Sequence, residues 1–389
     1  MLAALSVLAG TASPSGGERP LAEAFVEFAG ERWPALSWQV RPLGGDAASV
    51  LASVGDGPAS VVLYSHLDTS LTGDAGVDTA ITGRADAPAA FASDGDTVSG
   101  FGLGVAKGPA AAAVVGFVRA ATRIRGSAHL LLAARGTHRR GHGPTGVAEY
   151  LSALPRPDAA VVAKGGPPGV LRQEPGALYL RVRLSGGWGP LMLPHVLRPA
   201  GGLVARAGDL LTAVSAWGSH YVADARQRAI CADPTRPDGA SFGLGALRAG
   251  SPEKPDLAPA WLELACYLVL PGPIAPGAAA SSLAAHLRAF PGVEVDEELL
   301  GDGPGTPADA PVIRAATAAY EAEFPPAGPI SGWTGSTDGV AFRAAGVPTA
   351  RLGPRSVASS DDPRVDTFSL AELGRWARIY ERIVLSVSH

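Results

Sequence analysis

The chain has 389 residues, 47% hydrophobic and 17% charged, with a formal net charge of −4, which places it among globular proteins of about two domains with ample apolar surface for a core. A near-neutral balance, with no basic run longer than Arg139-Arg140 and no aromatic residues interleaved with one, argues against a nucleic-acid-binding surface. Cys231 and Cys266 are too few for a disulfide framework and lack CxxC spacing, so a cytoplasmic setting is expected, and no apolar run approaches the roughly 18 to 20 residues of a membrane span.

The apolar N-terminus, residues 1–12, lacks the basic start of an export signal and runs into Ser13-Pro14-Ser15-Gly16-Gly17-Glu18, which reads as the end of one short helix and the start of the next. Helical spacing follows at 21–28, then strands near Val40 and at 50–54. The next stretch organises the chain: apolar residues from Val61 lead into His66-Leu67-Asp68-Thr69, a buried strand that delivers an imidazole and a carboxylate to its C-terminal end, where open α/β sheets place their chemistry. A Gly-rich loop from Asp96 to Pro109 opens a small-residue helix at 110–121, with Pro109 suited to its first turn; lacking a GKS/T ending and GxGxxG, it argues against a nucleotide cradle. A strand at 130–134 feeds the loop Thr137-His138-Arg139-Arg140-Gly141-His142, a helix at 145–154 follows, and Pro157 to Lys164 reads as a strand ending in charge. This alternation predicts a mainly parallel, doubly wound sheet with helices on both faces.

The pattern then changes. A strand at 177–184, a helix at 203–217, strands at 240–247 and 260–270, a helix at 279–290 and a strand at Val293 give the β-α-β-β-α-β order of an inserted ferredoxin-like α+β domain with one open face. The expected division is 1–176, 177–300 and 301–389, the first and last parts forming one domain. A helix at 309–323, the loop from Ser331 to Gly339, a strand at 348–352 and a final helix complete the chain; Ser369 and Glu372 form a capping box ahead of the stripe Leu373, Trp376, Tyr380 and Ile383.

His66-Leu67-Asp68-Thr69, Ala106-Lys107-Gly108-Pro109, Pro157-Asp158 with its apolar run, and Thr337-Asp338 followed by Gly346-Val347-Pro348 and Gly353-Pro354 stand in a fixed order. Together they resemble, over essentially the whole chain, the M20 family of dinuclear zinc peptidases and amidohydrolases. Ser13-Pro14-Ser15-Gly16 and the Val105 to Pro109 form of the loop are similar to one branch of it, whose members release an amino acid from an acidic amino-group carrier protein in lysine and arginine biosynthesis. The resemblance implies a zinc-peptidase-like domain interrupted by a lid through which subunits pair.

Carried onto this chain, the family's metal site departs from its pattern. His66 is kept, and Asp68 keeps the role of orienting it, but the bridging Asp falls on Val105, the Glu-Glu pair on His138 and Arg139, and the second acidic ligand on Lys164. The last His position falls within 359–362, where Asp361 and Asp362 are weak substitutes. Valine cannot bridge metals and Arg and Lys repel them, so the expectation is no catalytic zinc pair and no cofactor. Cations in a metal vacancy are costly unless an anion lies between them. Lys107 and Lys164 are two of only three lysines, against 29 arginines, a bias that with abundant Ala, Gly and Pro suggests a GC-rich bacterial genome.

The expected catalytic groups are His66 as base, Asp68 behind it, His138 as a second base, and Lys164; Arg139, Lys107, His195 and Asp338 are the expected anion or substrate contacts. Without GxSxG, a Cys–His arrangement or a metal-activated water, hydrolysis is disfavoured. A base beside cations suits ring closure instead: an amine of a carrier-tethered amino acid displaces sulfate or phosphate to give an aziridine or azabicycle, in actinomycete specialised metabolism. Two alternatives stand beside it. The chain is expected to pair through the lid, as a homodimer or with another M20-like chain, and one alternative is a non-catalytic or degenerate subunit of such a heterodimer that binds the acidic carrier protein, with His195 completing a partner's site. The other is a conventional zinc amidohydrolase. His129, His142 and His220 read as core or surface histidines, and Thr337-Asp338 also reads as a helix cap.

Overall fold

The computed structural model describes residues 1–137, 141, 143–197, 199–228, 240–270, 274–301, 305–327, 335–356 and 365–388. The chain divides into two compact units, one of Met1–Gln173, Gly305–Trp333 and Thr337–His389, the other of Glu174–Pro304 with Thr334–Ser336.

The first unit is built on a six-stranded sheet in the order Ser37–Gly44, Ala47–Val54, Ala128–Ala133, Val61–His66, Ala159–Ala163 and Thr349–Leu352. The last four run parallel, and the first two form an antiparallel hairpin on one edge. Val61–His66 is buried along its whole length because alternate residues face two different cores. Val61 and Leu63 join helices Leu2–Gly10, Arg19–Arg32, Gly108–Ala121, Pro311–Glu321 and Leu370–Val387, whereas Val62 and Tyr64 join Gly146–Ala153 and Gly339–Ala344. The mixed, mainly parallel sheet with helices on both faces is therefore the architecture that the strand–helix alternation predicts.

Several details differ from the sequence reading. A π-helical turn, Leu103–Lys107, runs directly into Gly108–Ala121, so Leu103–Ala121 is long and apolar enough to cross a membrane; it is mostly buried in the protein's own core. Helix Ala75–Thr82 and a three-stranded sheet of Ala92–Asp94, Thr97–Gly100 and Asp366–Ser369 were not expected. Ser369 caps the last helix by accepting from the Glu372 amide, and Asp96 adds to that cap, taking the Ala371 amide at 2.8 Å and the Ser369 hydroxyl at 2.5 Å.

In the second unit, Gly176–Ser185, Ala207–Arg228, Ser241–Ala249, Trp261–Leu270, Ala278–His286 and Val293–Gly301 follow in the predicted β-α-β-β-α-β order. All pairs are antiparallel, and the sheet order places Gly176–Ser185 between the third and fourth strands. Leu178, Leu180, Val182, Leu264 and Leu268 pack on Leu210, Val214, Trp217 and Leu283 of the two helices. On the other face, Tyr179 and Tyr267 pack ring to ring and Arg183 lies over Trp261.

Candidate functional site

Parallel pairing aligns the strand ends. The register Tyr64↔Val162 brings His66 level with Lys164, the residue that follows Ala159–Ala163. Both stand at the carboxyl end of the sheet, where the N-terminal turn of Gly108–Ala121 also arrives: a Cβ on Gly165 would lie 3.4 Å from the Gly104 carbonyl. Val105 and Lys164 thus belong to neighbouring loops.

His66 is fully buried, with Nδ1 3.0 Å from Asp68 Oδ1. The ionised carboxylate only accepts, so Nδ1 carries the proton and Nε2 keeps its lone pair. Nε2 is buried and has no hydrogen-bond partner among the described residues. Burial first, and then the charge of Lys164, lower the ring's pKa against the pull of Asp68 and Asp338, so the imidazole is neutral near pH 7.

Asp68 is held on both oxygens. Oδ1 accepts from the Gly136 amide at 2.8 Å, and Oδ2 from the Thr137 amide at 2.9 Å and the Thr137 hydroxyl. Burial works against the charge, yet the His66 ring and the Thr137 donors keep the carboxyl well below the usual range. Gly136 is required by contact: a Cβ there would meet His66 Cβ at 2.4 Å and Cγ at 2.7 Å.

Asp338 occupies the N-cap position of Gly339–Ala344, but its side chain does not cap it; it accepts from the Tyr64 hydroxyl, and Thr337 Oγ1 takes the Gly339 amide instead. Tyr64 and His66 point to the same face of their strand, so Asp338 is a buried acid near the imidazole rather than an anion-binding group. Lys107 also departs from the anion-binding expectation. It is buried, and its ammonium donates inward to the Leu67 carbonyl at 2.5 Å and to the Ser13 hydroxyl. Burial pushes its pKa down to about 7, against the charges of Asp68 and Glu18.

His195 lies exposed in the second unit, on the short turn Pro194–Val196. His138, Arg139, Arg140, His142, Arg198, Cys231 and the 359–362 segment lie outside the described residues. His129 is a core histidine bonded to Tyr150, and His220 is on the surface. Sequence reasoning missed Glu18, whose Oε1 accepts from the Gly16 and Arg135 amides, both at 2.8 Å.

No family model matches the sequence, and no curated relative does either. Solved structures do. An M20 family metallo-carboxypeptidase, Sso-CP2 from Sulfolobus solfataricus, superposes with a TM-score of 0.72 at 14% identity, over 100% of this chain and 98% of the other. The fold is that of the M20 peptidases. Human carnosine dipeptidase 1 gives 0.67 at 12% identity, covering 100% and 95%. The Bacillus subtilis YXEP protein, a dinuclear metal-binding M20 peptidase, gives 0.59 at 12%, covering 100% and 97%.

The M20 fold implies a pair of metal ions, and the described residues do not fit one. His66 Nε2 has the free lone pair of a ligand nitrogen, but Val105 offers no donor atom and Lys164 offers a cation, where zinc takes imidazole, thiolate or carboxylate. Among the described residues no group of three His, Cys, Asp or Glu side chains is placed to hold a metal ion.

Proposed function

We propose that this M20-fold chain is an enzyme that works by proton transfer at His66, on a substrate that carries an amine and an anionic group. The observation that carries the reading is the state of the imidazole: Nδ1 fixed on Asp68, Nε2 buried and open, and the ring neutral beside Lys164. In this reading His66 Nε2 takes a proton from the substrate amine. The nitrogen lone pair then forms a C–N bond as the C–O bond to a sulfate or phosphate breaks, and the leaving group departs with that electron pair toward Lys164. The product is a small nitrogen ring. An amino acid tethered to an acidic carrier protein in the cytoplasm is the proposed substrate, delivered to a homodimer or to a pair with a second M20-like chain.

A second reading is favoured by the likeness to peptidases and dipeptidases: amide hydrolysis at a metal pair. The two are separated by elemental mass spectrometry on protein purified without chelator, with dipeptides and amino-acid sulfate esters as substrates. Sub-stoichiometric metal and sulfate release that is lost in His66→Ala support proton-transfer chemistry. Two zinc ions per chain together with dipeptide cleavage overturn it.

A further inference from the structure

The His66–Asp68 pair is gripped from behind by two buried charged residues on other parts of the chain. Gly136 and Thr137 can aim successive amides at Asp68 because Arg135, just before them, adopts φ 59°, the only positive φ among the described non-glycine residues. That conformation is unfavourable for a bulky L-residue and persists only where its surroundings hold it. Glu18 holds it, through the Arg135 amide, and bridges to Gly16 with the same oxygen. Its other oxygen, Oε2, is buried with no hydrogen-bond partner among the described residues. Leu67, between the two active groups, is fixed as firmly. Its amide donates to Ala133, and its carbonyl receives both the Ser13 hydroxyl, at 2.7 Å, and the Lys107 ammonium. The Thr69 amide donates to the Ser13 carbonyl at 3.1 Å.

We propose that Glu18 and Lys107 are positioning residues for the His66–Asp68 pair, acting through the backbone of Arg135 and of Leu67. Neither is hydrogen-bonded to the imidazole. Glu18 sets the turn whose amides pin both oxygens of Asp68, and Lys107 fixes the strand end that sets the spacing of His66 and Asp68. Together they hold the ring in its Nδ1–H tautomer. The inference rests on the reading of His66 as the base, and its test separates the two.

The test is a long-range ¹H–¹⁵N correlation of the histidine rings in the whole chain at neutral pH, with His66 assigned by the loss of its signals in His66→Gln. Wild type is expected to show a protonated Nδ1 and an unprotonated Nε2. A wild-type ring without that pattern refutes the base reading itself. Given the pattern, Glu18→Ala and Lys107→Met are expected to convert it to the averaged signals of mixed tautomers, while Glu18→Gln, which keeps the acceptor oxygen, retains it. A purely structural role lowers the melting temperature and leaves the ring signals unchanged in the folded variants, which overturns the proposal. Should either variant fail to fold, Glu18→Asp and Lys107→Gln, which keep a polar group of shorter reach, take its place; unaltered His66 signals in both overturn the proposal equally.

Discussion

Replacing Asp68 by Asn changes one atom and exposes how the site is held. The carboxylate receives four donors: His66 Nδ1, the Gly136 and Thr137 amides, and the Thr137 hydroxyl. An Asn oxygen placed as Oδ1 keeps the first two. Its NH₂ then faces the Thr137 amide, donor against donor, in a fully buried position. Orphaning that amide costs about 1–3 kcal/mol, and losing charge assistance on the remaining bonds brings the total to about 3–5 kcal/mol. Urea denaturation at pH 7 measures this as a lower midpoint at unchanged slope. The loss is also pH-dependent with a defined sign. Because the folded pKa is depressed, the carboxylate's contribution is complete above its unfolded value near 3.9 and fades as pH falls toward the folded one. The gap between wild type and Asp68→Asn therefore narrows below about pH 4. A variant within 1 kcal/mol of wild type at pH 7, or a gap that widens in acid, refutes this account.

Gly136→Ala drives a methyl into the His66 ring and is expected to cost about 1–3 kcal/mol by thermal denaturation while displacing the ring's NMR signals. Lys164→Met removes a positive charge that holds the imidazole neutral, so His66 is expected to titrate at higher pH than in wild type by NMR; an unchanged or lower midpoint contradicts the placement. Glu323 meets Arg378 at 2.8 Å, Arg382 at 3.0 Å and Arg375 at 3.9 Å, so Glu323→Gln is expected to cost about 1 kcal/mol at low salt and markedly less at 1 M salt, read by denaturation in both.

The parts of the fold with a repeating apolar period were legible from sequence. The His66 strand is a run of apolar residues that stops at a polar pair, and the last helix has an apolar stripe behind a Ser cap. Helix Ala75–Thr82 escaped notice because its one buried residue is Asp78, which takes the Thr72 and Gly73 amides, and a buried acid leaves no apolar period to read. At the site, the residue types were legible but not their directions. Lys107 and Asp338 sit where motifs place them, yet one donates into the interior and the other turns to a tyrosine far away in sequence. Glu18 gave no signal at all, since its partners are backbone amides that any sequence supplies.

The second unit interrupts a parallel pair: Thr349 lies beside Ala160, with the whole insertion between them in sequence. Its own first and last strands are neighbours, with Gly301 opposite Ala177, so the chain leaves the insertion close to where it entered. Once that unit has formed, the link between the two host strands behaves as a connection of roughly fifty residues instead of nearly two hundred, which lowers the closure penalty by about 1 kcal/mol. Formation of the insertion therefore eases closure of the host pair, and the edge strand Thr349–Leu352 is expected to dock last, as protection of its amides in pulse-labelling hydrogen exchange will report.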